Sequence, residues 1–158
     1  MYQMDGLEVY IHGYETEFQY KLNKLIDLEG SFSATRGENL TDNSPLYYVP
    51  PDKILLSTEV YLSPFSINLM HKKVFSQNRV GLYEETTPGY ETYNLIGTYT
   101  IRSAQAIHKF ILQIDNIFDR KYYNHLSRIK SIMPEKGRNI GFQYLSLIHI
   151  SEPTRQEA

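Results

Sequence analysis

The chain contains no cysteine, which excludes a disulfide framework, a thiolate metal site and a cysteine nucleophile. It has no tryptophan either, although aromatic content is high at 13 % and is carried by 14 Tyr and 7 Phe. No apolar run approaches the ~20 residues of a membrane-spanning helix. A formal net charge of −2 leaves no electrostatic footprint for nucleic acid. Met1-Tyr2-Gln3-Met4-Asp5-Gly6 lacks the basic and apolar regions of a signal peptide, so either the protein is cytoplasmic or Met1 is not its true start. His12, His71, His108, His125 and His149 are scattered, without the close spacings of a metal site, and read as solvated strand or loop residues. No cofactor is expected. No Ser-His-Asp order or Gly-rich phosphate loop appears, and no helix follows Gly137-Arg138 to bind a phosphate; an enzyme is not expected.

What the sequence does have is alternation. At 158 residues it is the length of one ordinary domain, and seven segments show the period of two that a strand with two different faces requires. The first runs from about Leu7 to Tyr20, where the apolar phase shifts near Gly13 and predicts a bulge. The second sets Ile26, Leu28, Gly30, Phe32 and Ala34 against Asp27, Glu29, Ser31, Ser33 and Thr35. The third sets Ile54, Leu56, Val60 and Leu62 against Lys53, Ser57 and Glu59, and the fourth, near Ile67 to Gln77, alternates poorly. The fifth sets Tyr93, Leu95, Gly97, Tyr99 and Ile101 against Thr92, Asn94, Thr98 and Thr100. Phe110, Leu112 and Ile114 oppose Gln113 and Asp115 in the sixth, and Ile140, Phe142 and Tyr144 oppose Asn139, Gly141 and Gln143 in the seventh.

The connections sort by length. Leu22–Lys24, Ser63–Phe65 and Ser103–Gln105 are short, whereas Gly37–Pro51, Val80–Gly89 and Ile117–Lys136 are long. Outer-membrane barrels sort their loops this way, with tight periplasmic turns and extended extracellular loops. Strands of about 10 residues at ~3.3 Å each, tilted by roughly 45°, span the ~25 Å apolar band of such a barrel. In lipid every backbone polar group must be paired, so a spanning sheet has to close on itself. Seven strands do not close a barrel of this kind, whose single-chain bacterial forms have even numbers of eight or more. The expected fold is therefore all-β: an antiparallel up-and-down transmembrane β-barrel, present as an incomplete sheet of about seven strands. A soluble β-rich ligand- or carbohydrate-binding sandwich is the alternative, and it would bury the apolar faces between two sheets.

Several motifs carry a family resemblance. Asn116-Ile117-Phe118-Asp119-Arg120-Lys121-Tyr122 follows an alternating strand, and Pro134-Glu135-Lys136-Gly137-Arg138-Asn139-Ile140 opens the last one. Upstream, in order, stand Gly13-Tyr14-Glu15, Pro45-Leu46, Val49-Pro50-Pro51, Gln77-Asn78-Arg79 and Thr87-Pro88-Gly89-Tyr90. Together they resemble the C-terminal part of TonB-dependent outer-membrane receptors, with Lys136 departing from a proline the family often has there. The resemblance implies residues 1–144 are the last seven strands of a 22-stranded barrel in the cell outer membrane. It implies a plug and a TonB-contacting segment elsewhere, with TonB and its inner-membrane energising complex, outer-membrane lipid and the barrel-assembly machinery as partners. The implied function is active uptake of a scarce small molecule of the ferric siderophore, haem, cobalamin or glycan class. Residues 145–158, from Leu145-Ser146-Leu147-Ile148-His149-Ile150 onward, resemble a translated sequencing-adapter tail. They lack the aromatic end that the assembly machinery recognises in this family, so native sequence is expected to stop near Tyr144; a genuine polar tail is the alternative.

On this reading Asn116, Phe118, Asp119, Tyr122, Gly137 and Arg138 structure the rim. Extracellular-loop candidates for ligand contact are Tyr47, Tyr48, Tyr83, Glu84, Glu85, Tyr123 and His125, with an interfacial girdle an equal role for the tyrosines. Glu84-Glu85 suits an acid–base pair or a cation grip, but the Thr86-Thr87-Pro88-Gly89 stretch beside it favours a solvated loop.

Overall fold

The computed structural model describes residues 8–148. The expected strand start at Leu7, His149 and the tail beyond it lie outside the described residues. The elements are β1 (Val9–Lys21), β2 (Ile26–Asn39), β3 (Ser44–Pro45), β4 (Lys53–Leu62), β5 (Phe65–Val74), β6 (Tyr90–Arg102), β7 (Ala106–Asp115) and β8 (Asn139–Ile148). They form one sheet in the order β1-β2-β4-β5-β6-β7-β8, each strand antiparallel to the next in sequence, with the two-residue β3 paired to the end of β2. β1 and β8 are its two edges. Residues Leu145–Ile148 continue β8 and pair with Ala106–Lys109.

The pairing register places the alternating residues of every strand on common faces, because directly opposed residues in an antiparallel ladder point the same way. Ile114 opposes Leu95 and Ile140, Leu69 opposes Leu95 and Thr58, and Leu28 opposes Thr58 and Tyr20. One face thus carries Phe18, Leu28, Leu56, Ile67, Leu95, Leu112 and Phe142 as a continuous apolar band. The other carries Glu17, Glu29, Ser57, Asn68, Asn94, Gln113 and Gln143. A sandwich would cover the apolar band with a second sheet. Instead, among the described residues contacts between elements run only between hydrogen-bonded neighbours, and Leu112 and Phe142 are 45 % and 67 % exposed.

Aromatic rings line this band through cross-strand pairs. Phe65 stacks on Tyr99 at 4.7 Å between ring centroids, and Phe110 lies 5.0 Å from Tyr144. Nearer the long loops, His71 stacks on Tyr93 at 4.5 Å, and Phe118 meets Tyr93 edge-on at 5.3 Å. Beyond these rings the face turns charged, with Lys73 2.9 Å from Glu91 and Arg36 bound to Asp52 through two hydrogen bonds. Rings at the edge of an apolar band and charges beyond it are the expected order where lipid meets water.

Two sequence expectations are corrected. There is no bulge at Gly13, because β1 pairs with β2 in unbroken register from Val9↔Asn39 to Lys21↔Asp27. The apolar-face residues of β1 are Tyr10, His12, Tyr14, Thr16, Phe18 and Tyr20, so Val9 and Ile11 lie on the polar face near the long loops. A bulge is unnecessary because Phe18 sits directly across from Gly30, and a Cβ on Gly30 would come within 2.2 Å of its ring. The ring covers backbone that the glycine leaves bare. The poorly alternating fourth segment is a regular strand that starts at Phe65, before the expected Ile67. Its pattern blurs only because His71-Lys72-Lys73 stands where the band ends.

The turns explain the loop sorting. In the first, Asn23 Oδ1 accepts from Leu25 N–H at 2.7 Å, an Asx turn that needs no longer chain. Ser103 Oγ closes the β6–β7 turn on Ala106. Because the strands form a meander, these short turns share one end of the sheet, and residues 40–52, 75–89 and 116–138 all emerge at the other.

Candidate functional site at the long-loop end

The loop 116–138 is built on Asn116, which is left-handed with φ 49 and only 4 % exposed. Its side-chain oxygen accepts from Arg120 N–H and its amide donates to Arg120 C=O, both at 2.9 Å. Its own N–H donates to Asn94 Oδ1. Asp119, also left-handed, accepts from Arg138 N–H at 2.7 Å. A Cβ on Gly137 would lie 2.6 Å from Asp119 Oδ1, so glycine lets the returning chain approach the carboxylate. Tyr122 turns over the polar face and stacks on Tyr90 at 4.2 Å. Burial, and then the Glu135 charge, push its phenol up from its ordinary value. Asn116, Asp119, Tyr122, Gly137 and Arg138 thus close the loop onto β6 and β8, while Phe118 remains 71 % exposed on the apolar side.

The three long loops meet around Glu84. Its carboxylate accepts from Tyr48 N–H of loop 40–52 and from Gly81 N–H, and Lys130 Nζ of loop 116–138 donates to it at 3.2 Å. His125 Nε2 lies 3.1 Å from Glu84 Oε1, although without the alignment of a hydrogen bond. The opposite ring nitrogen, Nδ1, is 3.0 Å from Thr87 Oγ1 and 3.2 Å from Lys130 Nζ. The side chains of His125, Glu84 and Lys130 are 1 %, 5 % and 9 % exposed. The solvated reading of His125 and Glu84 is therefore overturned: loops distant in sequence fold over both groups. Burial, and next the Lys130 charge, hold the His125 imidazole below its ordinary value, against the opposing pull of Glu84. Burial pushes the Glu84 carboxyl up, but the Gly81 and Tyr48 N–H groups and Lys130 together outweigh it and leave the group low. The Arg36 guanidinium likewise holds Asp52 below the usual carboxylate range.

Hydroxyl, imidazole and carboxylate follow one another from Thr87 to His125 to Glu84, the order of a hydrolytic triad. Here Lys130 competes for the same ring nitrogen as the hydroxyl, and Thr87 is 6 % exposed. Such a hydroxyl meets no substrate, and the arrangement serves to hold loops together.

In front of this cluster lies a cleft of about 430 Å³ lined by Tyr47, Tyr48, Tyr83, Glu84, Glu85, Arg128 and Lys130, among others. Five of the sequence candidates thus converge in one place, while His125 sits behind the wall. Tyr123 is set apart, its ring 5.9 Å from Lys121 Nζ. Tyr48 and Tyr83 are both left-handed, with φ 55 and 69, a conformation uncommon for residues other than glycine, asparagine and aspartate. Tyr83 is 95 % exposed. The Tyr47 ring fills the space at Gly81, where a Cβ would lie 2.7 Å away. Lys130, Thr87, Gly81 and Arg128 were not expected from the sequence; only their meeting in space identifies them. On the polar face a smaller cavity of about 300 Å³ opens beside Gln19, Glu29, Ser57, Lys72 and Asn94. Among the described residues no group of three or more His, Cys, Asp or Glu is placed to hold a metal ion.

No family model matches the chain. Solved structures do match its fold. The copper transporter OprC superposes with a TM-score of 0.79 at 23% identity, covering 89% of this chain and 23% of its own. FpvAI, in its complex with pyocin S2, superposes with a TM-score of 0.70 at 17% identity, covering 90% of this chain and 20% of the matched one. The chain therefore spans less than a quarter of the length of either. The described residues share the antiparallel all-β fold of part of each of these two proteins.

Proposed function

We propose that this chain is the C-terminal barrel portion of a TonB-dependent outer-membrane receptor that takes up a scarce small molecule. The observation that carries the proposal is the uncovered apolar band on a single meandering sheet, with every long loop at one end. A soluble protein would have to shield that band, whereas lipid requires it. The fold shared with the copper transporter OprC and with FpvAI supports the same reading. Ligand is captured at the long-loop end, in the cleft of Tyr47, Tyr48, Tyr83, Glu85 and Arg128, and moves inward along the polar face without covalent chemistry. Exposed tyrosines offer flat, rigid contact area for ring-bearing ligands such as glycans, haem or siderophores. Energy comes from TonB and the inner-membrane complex through parts of the receptor outside this chain, and the barrel-assembly machinery inserts the strands.

The test is fractionation and uptake with the complete receptor. It should enter the outer membrane, and accumulation of its ligand should stop when TonB is deleted. Recovery in the soluble fraction, or uptake indifferent to TonB, would overturn the proposal.

A further inference from the structure

The buried cluster, two of whose members, Glu84 and Lys130, also line the cleft, joins all three long loops. Glu84 and Thr87 belong to loop 75–89, His125 and Lys130 to loop 116–138, and Tyr48, whose N–H Glu84 receives, to loop 40–52. A lysine ammonium only donates, so the tautomer that lets both Lys130, 3.2 Å away, and the Thr87 hydroxyl, 3.0 Å away, approach His125 Nδ1 favourably leaves the lone pair on that nitrogen. The ring proton then sits on Nε2, facing Glu84 3.1 Å away. This arrangement holds only while the imidazole is neutral, because a proton on Nδ1 would set two cations against each other in a site nearly closed to water.

We propose that His125, Glu84 and Lys130 form an acid-released latch, which ties the three long loops together at neutral pH and frees them when the imidazole is protonated. The charged groups facing His125 are Glu84 and Lys130. Arg128 and Glu85 line the cleft in front of the cluster. Of the two groups in contact with the ring, Glu84 alone favours its protonated form, and its lone pairs are already shared among Tyr48, Gly81 and Lys130. The sign follows from the geometry. An open loop exposes a histidine with its ordinary value of about 6.5, while the closed cluster resists protonation. Opening is therefore favoured progressively as pH falls below that value, and closure is undisturbed above it.

The latch rests on the barrel reading only for the environment of the loops. Hydrogen exchange on the complete receptor in detergent micelles, at about pH 7.5 and 5.5, tests it across the histidine range. Peptides covering residues 78–89 and 121–133 should lose protection at the lower pH, by up to about tenfold, the most that one pH unit below the ordinary histidine value allows, after correction for intrinsic exchange. His125→Gln keeps an acceptor for Lys130 and a donor for Glu84 but does not titrate, so its loops should remain protected at both pH values. Loops open at both values in that variant, beside an acid response in the wild type, would also assign the latch to the imidazole. Equal wild-type protection at both values, or an unchanged acid response in His125→Gln, would overturn it. Failure to extract a folded barrel from the outer membrane would tell instead against the proposed function.

Discussion

Asn116 and Tyr83 both hold the left-handed conformation, for opposite reasons. Asn116 is buried, and its side chain satisfies backbone groups on two sides of the loop. Asn116→Ala should leave those groups unpaired and force alanine into a disfavoured conformation, lowering stability by about 2–4 kcal/mol. Asn116→Gly removes the conformational part and should cost roughly 1–2 kcal/mol less; denaturant unfolding of the micellar receptor measures both. Tyr83 makes no comparable bond and is almost fully exposed, so its backbone strain is unrewarded within the loop. Tyr83→Gly should leave stability within about 1 kcal/mol, since relieved strain offsets the flexibility of glycine. Ligand affinity should nevertheless fall, by calorimetry or whole-cell binding. Unchanged affinity would remove Tyr83 from the site.

At the scale of a strand, the two faces of β7 make opposite demands on one substitution. Leu112 lies in the apolar band between Gly97 and Phe142, and Gln113 lies on the polar face between Ile96 and Gly141. Leu112→Arg should cost about 2–4 kcal/mol in a bilayer, whereas Gln113→Arg should cost little; refolding titrations into lipid vesicles compare them directly. The loops respond to acid instead. Asp52 and Glu84 both sit below their ordinary values. Their contribution is therefore present above the unfolded carboxylate range of about 4 and is lost as pH falls through the folded values. Asp52→Asn should remove that part of the acid response where loop 40–52 meets β2, read as proteolytic nicking of the loop against pH. An acid response identical to wild type would show that the Arg36 pair does not anchor the loop.

For the whole molecule the decisive feature is that, among the described residues, the sheet does not close on itself. Within those residues β1 and β8 each present an unpaired edge, and nothing covers the apolar band. Both are templates for association with other chains. Residues 1–158 expressed alone should aggregate, as sedimentation or light scattering will show. A soluble monomer that unfolds cooperatively would contradict the barrel reading at its root.

The sequence determined the strands, their two faces and the sorting of loops, because each depends on chemistry that repeats every second residue or sits within one turn. Phe110, Leu112 and Ile114 declare their face without reference to anything else in the chain. The anchors of loop 116–138 are partly local for a similar reason: Asn116 and Asp119 bond backbone that is close in sequence or returns beside Gly137. Tertiary structure alone decided the rest. The bulge expected at Gly13 disappeared because Phe18 covers Gly30 from the neighbouring strand, a pairing that depends on register. His125 and Glu84 read as solvated because isolated loop segments are polar, and they became buried because Lys130, Thr87 and the Tyr48 backbone converge on them across separations of up to 46 residues. Periodicity carries no record of such meetings. Local chemistry writes the sheet into the sequence, but only closure of the loops in space makes the cleft and the buried cluster behind it.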